Sequence, residues 1–163
     1  MKIHFFDKEN MMIYLNKHYT KTIDLDSQDE LEDYFKQLFL RLHQYYDISL
    51  HGYYNIILYC DRYYGMVIHL SKEEIDYYNY FDKEIDMRIV IDKTNQFLYQ
   101  IDDYFALPTE LQKKVTIYYY RDHFYVKVKR ELTDIEFAIL LEQAILHYQQ
   151  NDSIIKNGMV IKE

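Results

Sequence analysis

The chain has 163 residues, a formal charge of −8 at pH 7 and a 49% hydrophobic composition. That apolar share suffices for a packed core and excludes disorder as the default state. The acidic balance denies the basic face on which nucleic-acid binding depends, and the length suits one domain or two small fused ones.

From the N-terminus, MKIHFFDKENMMIYLNK predicts two short strands around a turn at residues 7–10, where polar turn formers sit between apolar flanks. Ser27 with Glu30 three residues on makes a capping box. Leu31, Tyr34, Phe35, Leu38, Phe39 and Leu42 then recur at steps of three and four, which draws the single apolar stripe of a helix. ILYCDRYYGMVIH, residues 57–69, predicts a tyrosine-rich hairpin with Asp61 and Arg62 at its tip. Ser71 with Glu74 repeats the capping box and predicts a short helix ending before Ile85; MRIVID restores branched residues and predicts a strand.

KTNQFLYQIDDYFAL is expected to be helical, with Phe97, Leu98, Ile101 and Phe105 on one side and Pro108 ending it. IYYYRDHFYVKVK, residues 117–129, predicts a second hairpin, again with an Arg and an Asp side by side. Its alternation points Val115, Ile117 and Tyr119 one way and Thr116, Tyr118 and Tyr120 the other. Thr133 and Glu136 then open a helix over TDIEFAILLEQAILHYQQ, with Ile135, Ile139, Leu140, Ala144 and Leu146 as burial candidates. Asn157-Gly158 predicts a tight turn with positive dihedrals, and MVIK a closing strand.

A helix leads into each hairpin and a Ser/Thr-x-x-Glu start follows each one, a degenerate internal repeat. The predicted fold class is α+β, in two related halves, each an antiparallel sheet with helices packed on one face. The halves are expected at 1–75 and 86–163, the second with the βαββαβ order of a ferredoxin-like sandwich. The junction near 71–86 carries no Gly, Pro or Ser run.

The three glycines, at 52, 65 and 158, cannot assemble a phosphate-cradling loop. Seven histidines offer no pair at helical zinc spacing, and no serine has a glycine-framed elbow, so neither metal, cofactor nor catalytic residue is expected. Cys60 is the only cysteine, which excludes an internal disulfide and points to a reduced, cytoplasmic setting. No apolar run approaches the ~20 residues that span a bilayer, and the N-terminus lacks a signal peptide's apolar stretch. The tyrosines remain: they either pack beneath helices or form a partner platform, since Tyr and Arg bind at low ordering cost. Base stacking on them is disfavoured by the acidic charge.

Residues 115–163 resemble the C-terminal domain of the MecA family, adaptors of the ClpC unfoldase and negative regulators of genetic competence. The chain shows a tyrosine-rich hairpin, IYYYRDHFYVKV, then LTDIEFAILLEQAILHY, then the closing IIKNGMVIKE. VIDKTNQFLYQIDDYF resembles the strand and helix that begin that domain. GYYNIILYCDRYYGMVIHL looks like the last hairpin of the family's N-terminal domain, preceded by a helix similar to DELEDYFKQLFLRL. The chain departs from the family in lacking an Arg-Gly-Phe stretch near the N-terminus and in its short linker.

The resemblance implies a non-catalytic adaptor. The first half would hold a client protein, and the second would dock on a ClpC-type AAA+ ATPase and promote its assembly, raising the client's effective concentration there. Arg121, Asp122 and His123 are then the candidates for ATPase docking, and Asp61 and Arg62 for the client; the plainer reading of all five is as ordinary polar turn residues. The alternatives are a regulatory or self-associating module with no Clp partner, and an enzyme with a cleft between the halves using Tyr, Asp, His69 or His123.

Overall fold

In the computed structural model, which describes residues 1–74, 85–92 and 97–163, the chain divides into two units, Met1–Lys93 and Thr94–Glu163. The first is organised by its long helix. Strands β1 (Lys2–Phe5) and β2 (Asn10–Asn16) meet at a turn where Asp7 Oδ1 accepts the N–H groups of Glu9 and Asn10 at 2.7 and 2.8 Å. After a short helix α1 (Lys17–Thr20), α2 runs Gln28–Tyr46, with the Ser27 hydroxyl accepting the Glu30 N–H. It stops at Asp47, which takes the left-handed conformation with φ 55, one that Asp tolerates because its short side chain bonds locally.

The predicted stripe of α2 is the buried one: Leu31, Phe35, Leu38, Phe39 and Leu42. Each contributes about 2 kcal/mol by leaving water. They pack on one face of a five-stranded sheet ordered β1-β2-β4-β3-β5, with β3 at Gly52–Asp61, β4 at Gly65–Glu73 and β5 at Ile85–Asp92. The register sets Ile13 beside Ile68 and Ile68 beside Leu58, so alternate residues of β2, β4 and β3 meet α2 as one apolar surface. Met12, Tyr59 and Val67, which point the other way, are buried too. Gly65 opens β4 with φ +120 against the backbone of Leu15 to Lys17; a Cβ there would lie 2.5 Å from the Leu15 carbonyl oxygen.

The second unit is a five-stranded antiparallel sheet ordered β10-β7-β8-β6-β9. Its strands are β6 (Leu98–Ile101), β7 (Val115–Tyr120), β8 (His123–Val128), β9 (Ala144–His147) and β10 (Met159–Lys162). Between β6 and β7 come a 3₁₀ turn at Tyr104–Ala106 and helix α3 (Thr109–Gln112). Helix α4 (Asp134–Gln143) begins with the predicted capping box, Thr133 and Glu136 bonding each other's backbone, and packs Phe137 edge-on against Tyr99 at 5.8 Å. Helix α5 (Asn151–Asn157) sets Ile154 among Leu98, Tyr118 and Tyr125 on the opposite face.

The α+β architecture in two sheet-and-helix halves is the predicted one, and both hairpins form, but several details differ. β5 pairs in parallel with β3. The strand expected to open the second half therefore completes the first sheet, which is mixed; β6 opens the second unit instead, whose elements run βαββαβ from β6 to β9 and then add α5 and β10. Residues 98–101 form a strand rather than part of a helix: β6 lies between β8 and β9, and Leu98, Tyr99 and Ile101 are all buried, so the run has no polar face to reveal its period. The long helix predicted from 133 ends at Gln143, where Ala144 turns extended and the chain becomes the edge strand β9. Ile135, in the first turn of α4, is 74% exposed, not buried.

Helices cover both faces of the second sheet rather than one. Asn157 ends α5 and Gly158 has φ −71, so no positive-φ turn forms there. A Cβ at Gly158 would sit 2.5 Å from the Ile154 oxygen that its own N–H bonds at 2.8 Å, which is why glycine stands there. Ser71 is a β4 residue, not a helix cap; most of the short helix expected after it lies outside the described residues.

Candidate functional site

The β7–β8 hairpin closes through two residues, Arg121 with φ 48 and Asp122 with φ 63. Two left-handed residues in succession give the turn whose twist matches its strands. Arg is an unusual occupant, because a Cβ in that region costs about 1–2 kcal/mol. Both residues and His123 are exposed, as expected of the three candidates. The tip also sorts its charges. Tyr119 and Tyr120 point to opposite faces of the sheet; the Arg121 guanidinium lies 5.1 Å over the Tyr120 ring, while the Asp122 carboxylate accepts the Tyr119 hydroxyl at 2.9 Å. That bond to a carboxylate pushes the Tyr119 pKa above the ordinary phenol range.

On the Asp122 side the rings form a continuous series. Tyr119 meets Phe124 at 5.2 Å, Phe124 meets Tyr104 at 5.1 Å, and Tyr104 stacks on Phe105 at 4.2 Å. Phe105, expected on the buried side of a helix, is 74% exposed. Its turn is nonetheless held firmly. Asp103 Oδ1 accepts the Phe105 N–H at 2.9 Å. Gln112, itself 9% exposed, donates to the carbonyls of Leu107 at 2.8 Å and Tyr104 at 3.3 Å. Its own oxygen accepts the Lys162 ammonium at 2.8 Å, which ties the turn to β10 across the unit. An exposed aromatic side chain on a braced backbone is the usual form of a binding hot spot, since little ordering entropy is lost on contact.

His123 faces the other way, 6.4 Å from the Tyr125 ring, which in turn meets His147 edge-on at 5.5 Å. Asn151 is fully buried and donates to the His147 carbonyl at 2.9 Å; its side-chain oxygen therefore faces the His147 Nδ1. The ring is thereby set with Nδ1 carrying the proton.

The two first-unit candidates are used differently. Asp61 is half-buried, and its Oδ1 accepts the N–H groups of Tyr63 and Tyr64, each at 2.8 Å, so its carboxylate builds the turn rather than projecting from it. Arg62 is exposed, with its guanidinium 4.5 Å over the Tyr63 ring. This three-residue loop does not reproduce the two-residue tip of the second hairpin. Cys60, Asp61, Arg62 and Met66 border a small cavity of about 220 Å³. A larger hollow of about 480 Å³ lies between α2 and β5, floored by Phe39, Leu40, Leu50 and Ile85 with Lys36, His43 and Ser49 around it.

His69, on β4, has its pKa lowered by partial burial. Among the described residues, no three His, Cys, Asp or Glu side chains are grouped to hold a metal ion, and no helix is long and apolar enough to cross a membrane.

Sequence reasoning placed the hairpin tip but missed Tyr104, Phe105 and Gln112. The available signal was Asp103 two residues before Phe105 and Pro108 three after it, a turn spelled by a capping acid and a proline. No family description matches this chain, and no curated protein or solved structure does so significantly.

Proposed function

We propose that this protein is a non-catalytic adaptor that recruits client proteins to a ClpC-type AAA+ unfoldase and promotes its assembly, as the resemblance of both hairpins to the MecA family suggests. The observation that carries the binding role is the display of Phe105. An apolar ring left in water on a doubly anchored turn, backed by Tyr104, Phe124 and Tyr119, is poorly explained by packing and well explained by a partner that covers it. The first unit would then hold the client around Arg62. This work needs two surfaces and effective concentration but no bond chemistry.

The test is capture of a purified ClpC-type ATPase and stimulation of its ATP turnover. Wild type is expected to do both, and Phe105→Ala to weaken capture at least tenfold with an unchanged circular dichroism spectrum. Equal capture by both proteins removes the surface; no capture by either removes the ATPase as partner.

A second reading, a self-associating module without an ATPase, draws on β10. It is an edge strand with Met159, Val160 and Ile161 exposed, and such edges pair readily with another strand. Concentration-dependent mass in sedimentation, lost when Val160 becomes Lys, would support it.

A further inference from the structure

The sorting of charge at the hairpin tip goes beyond the adaptor reading on which it rests, because it specifies what the partner presents. Asp122 is held on the aromatic side by the Tyr119 hydroxyl, and Asp103 is held beside Phe105 by the Phe105 N–H. Arg121, the cation next to Asp122 in the chain, is drawn over Tyr120 toward the opposite face, and the Lys162 ammonium near the turn is engaged by the Gln112 oxygen. Asp102 and Asp103 are both exposed, and Glu110 nearby in the chain is engaged by Lys113 at 2.7 Å.

The aromatic row therefore carries carboxylates at both ends and aromatic rings between them, and rings attract cations through their negative faces as carboxylates do through charge. We infer that this surface takes a segment of the partner protein in which a Lys or Arg stands beside an apolar side chain. The apolar group covers Phe105, and the cation sits over the rings between Asp103 and Asp122. Arginine fits best, since its planar guanidinium stacks on aromatic rings and bonds a carboxylate in the same pose.

Isosteric variants separate charge from structure. In Asp103→Asn the side-chain oxygen still caps the Phe105 turn. In Asp122→Asn it still accepts from Tyr119, and asparagine tolerates the left-handed backbone. The probes are a five-residue peptide with two arginines flanking a leucine and its counterpart with two glutamines, each titrated into ¹⁵N-labelled protein. The arginine peptide is expected to shift the amides of Phe105, Phe124 and Asp122 and to bind about tenfold more tightly than the glutamine peptide at low salt, an advantage that fades as salt rises. The Asp103→Asn/Asp122→Asn double variant should lose most of that advantage, and Phe105→Ala should weaken both peptides.

Equal affinity of the two peptides, no binding of either, or an arginine preference that survives the double variant each overturns the inference. Capture of the ATPase by the same proteins distinguishes this failure from failure of the adaptor reading. Capture that survives the double variant but not Phe105→Ala leaves the platform and removes its preference for cations. Capture that survives both variants removes this surface from the adaptor altogether.

Discussion

Gln112 is the residue on which the display of Phe105 depends, and replacing it with leucine isolates that dependence. The two side chains are similar in size, so the substitution removes polar atoms without opening a cavity. Three partners lose their bond: the Leu107 carbonyl at 2.8 Å, the Tyr104 carbonyl at 3.3 Å and the Lys162 ammonium at 2.8 Å. A neutral bond of good geometry contributes about 1 kcal/mol net and the longer one less, whereas a bond to a charged group reaches about 1.5–3 kcal/mol. Lys162 is only partly shielded and regains water, which places it at the low end of that range.

Leu107 is buried, so its carbonyl pays a desolvation cost when this donor is removed. Allowing for the apolar contact that leucine gains, the expected loss is about 2–4 kcal/mol, a sizeable part of a small domain's stability. Urea unfolding followed by circular dichroism measures it. Amide exchange at Ala106 and Leu107, whose N–H groups close the 3₁₀ turn onto Asp103 and Tyr104, locates it. Partner binding should weaken in step, because a loosened turn must be reordered on contact. A variant within about 0.5 kcal/mol of wild type, with unchanged exchange at those amides, would refute the claim that Gln112 braces the turn.

Two further outcomes are expected. Gly65→Ala should destabilise the first unit by more than about 2 kcal/mol, because it forces a side chain into φ +120 and against the Leu15 carbonyl; unfolding at the wild-type midpoint would contradict this. The Glu136 pKa is depressed by the Lys114 ammonium at 2.7 Å and by the Thr133 N–H. A depressed carboxylate stabilises the fold above its unfolded value of about 4.3 and loses that contribution as pH falls through the lower folded value. Glu136→Gln should therefore reduce stability at pH 7 and flatten its decline below about pH 4.3; parallel pH profiles for the two proteins would count against the pairing.

How much could be read in advance follows the range of the forces involved. The stripe of α2, the Thr133 capping box and the two hairpins were legible because each rests on contacts between residues a few positions apart. The candidate tip residues Arg121, Asp122 and His123 were legible for the same reason: a charged pair between two apolar alternations has to lie at a turn. The turn-building role of Asp61 was not legible, since an aspartate that builds a turn and one that faces a partner have the same sequence neighbours.

The amino-acid order alone thus determined that this is an α+β chain with a helix-backed sheet in its first half and a tyrosine-rich hairpin in its second. The tertiary structure decided that Ile85–Asp92 completes the first sheet, that Leu98–Ile101 is a central strand, and that Phe105 faces water. A short apolar run buried on both sides has no periodicity to betray its conformation. Its strand partners are set by residues far along the chain, and whether one ring is covered depends on all the surfaces that could reach it.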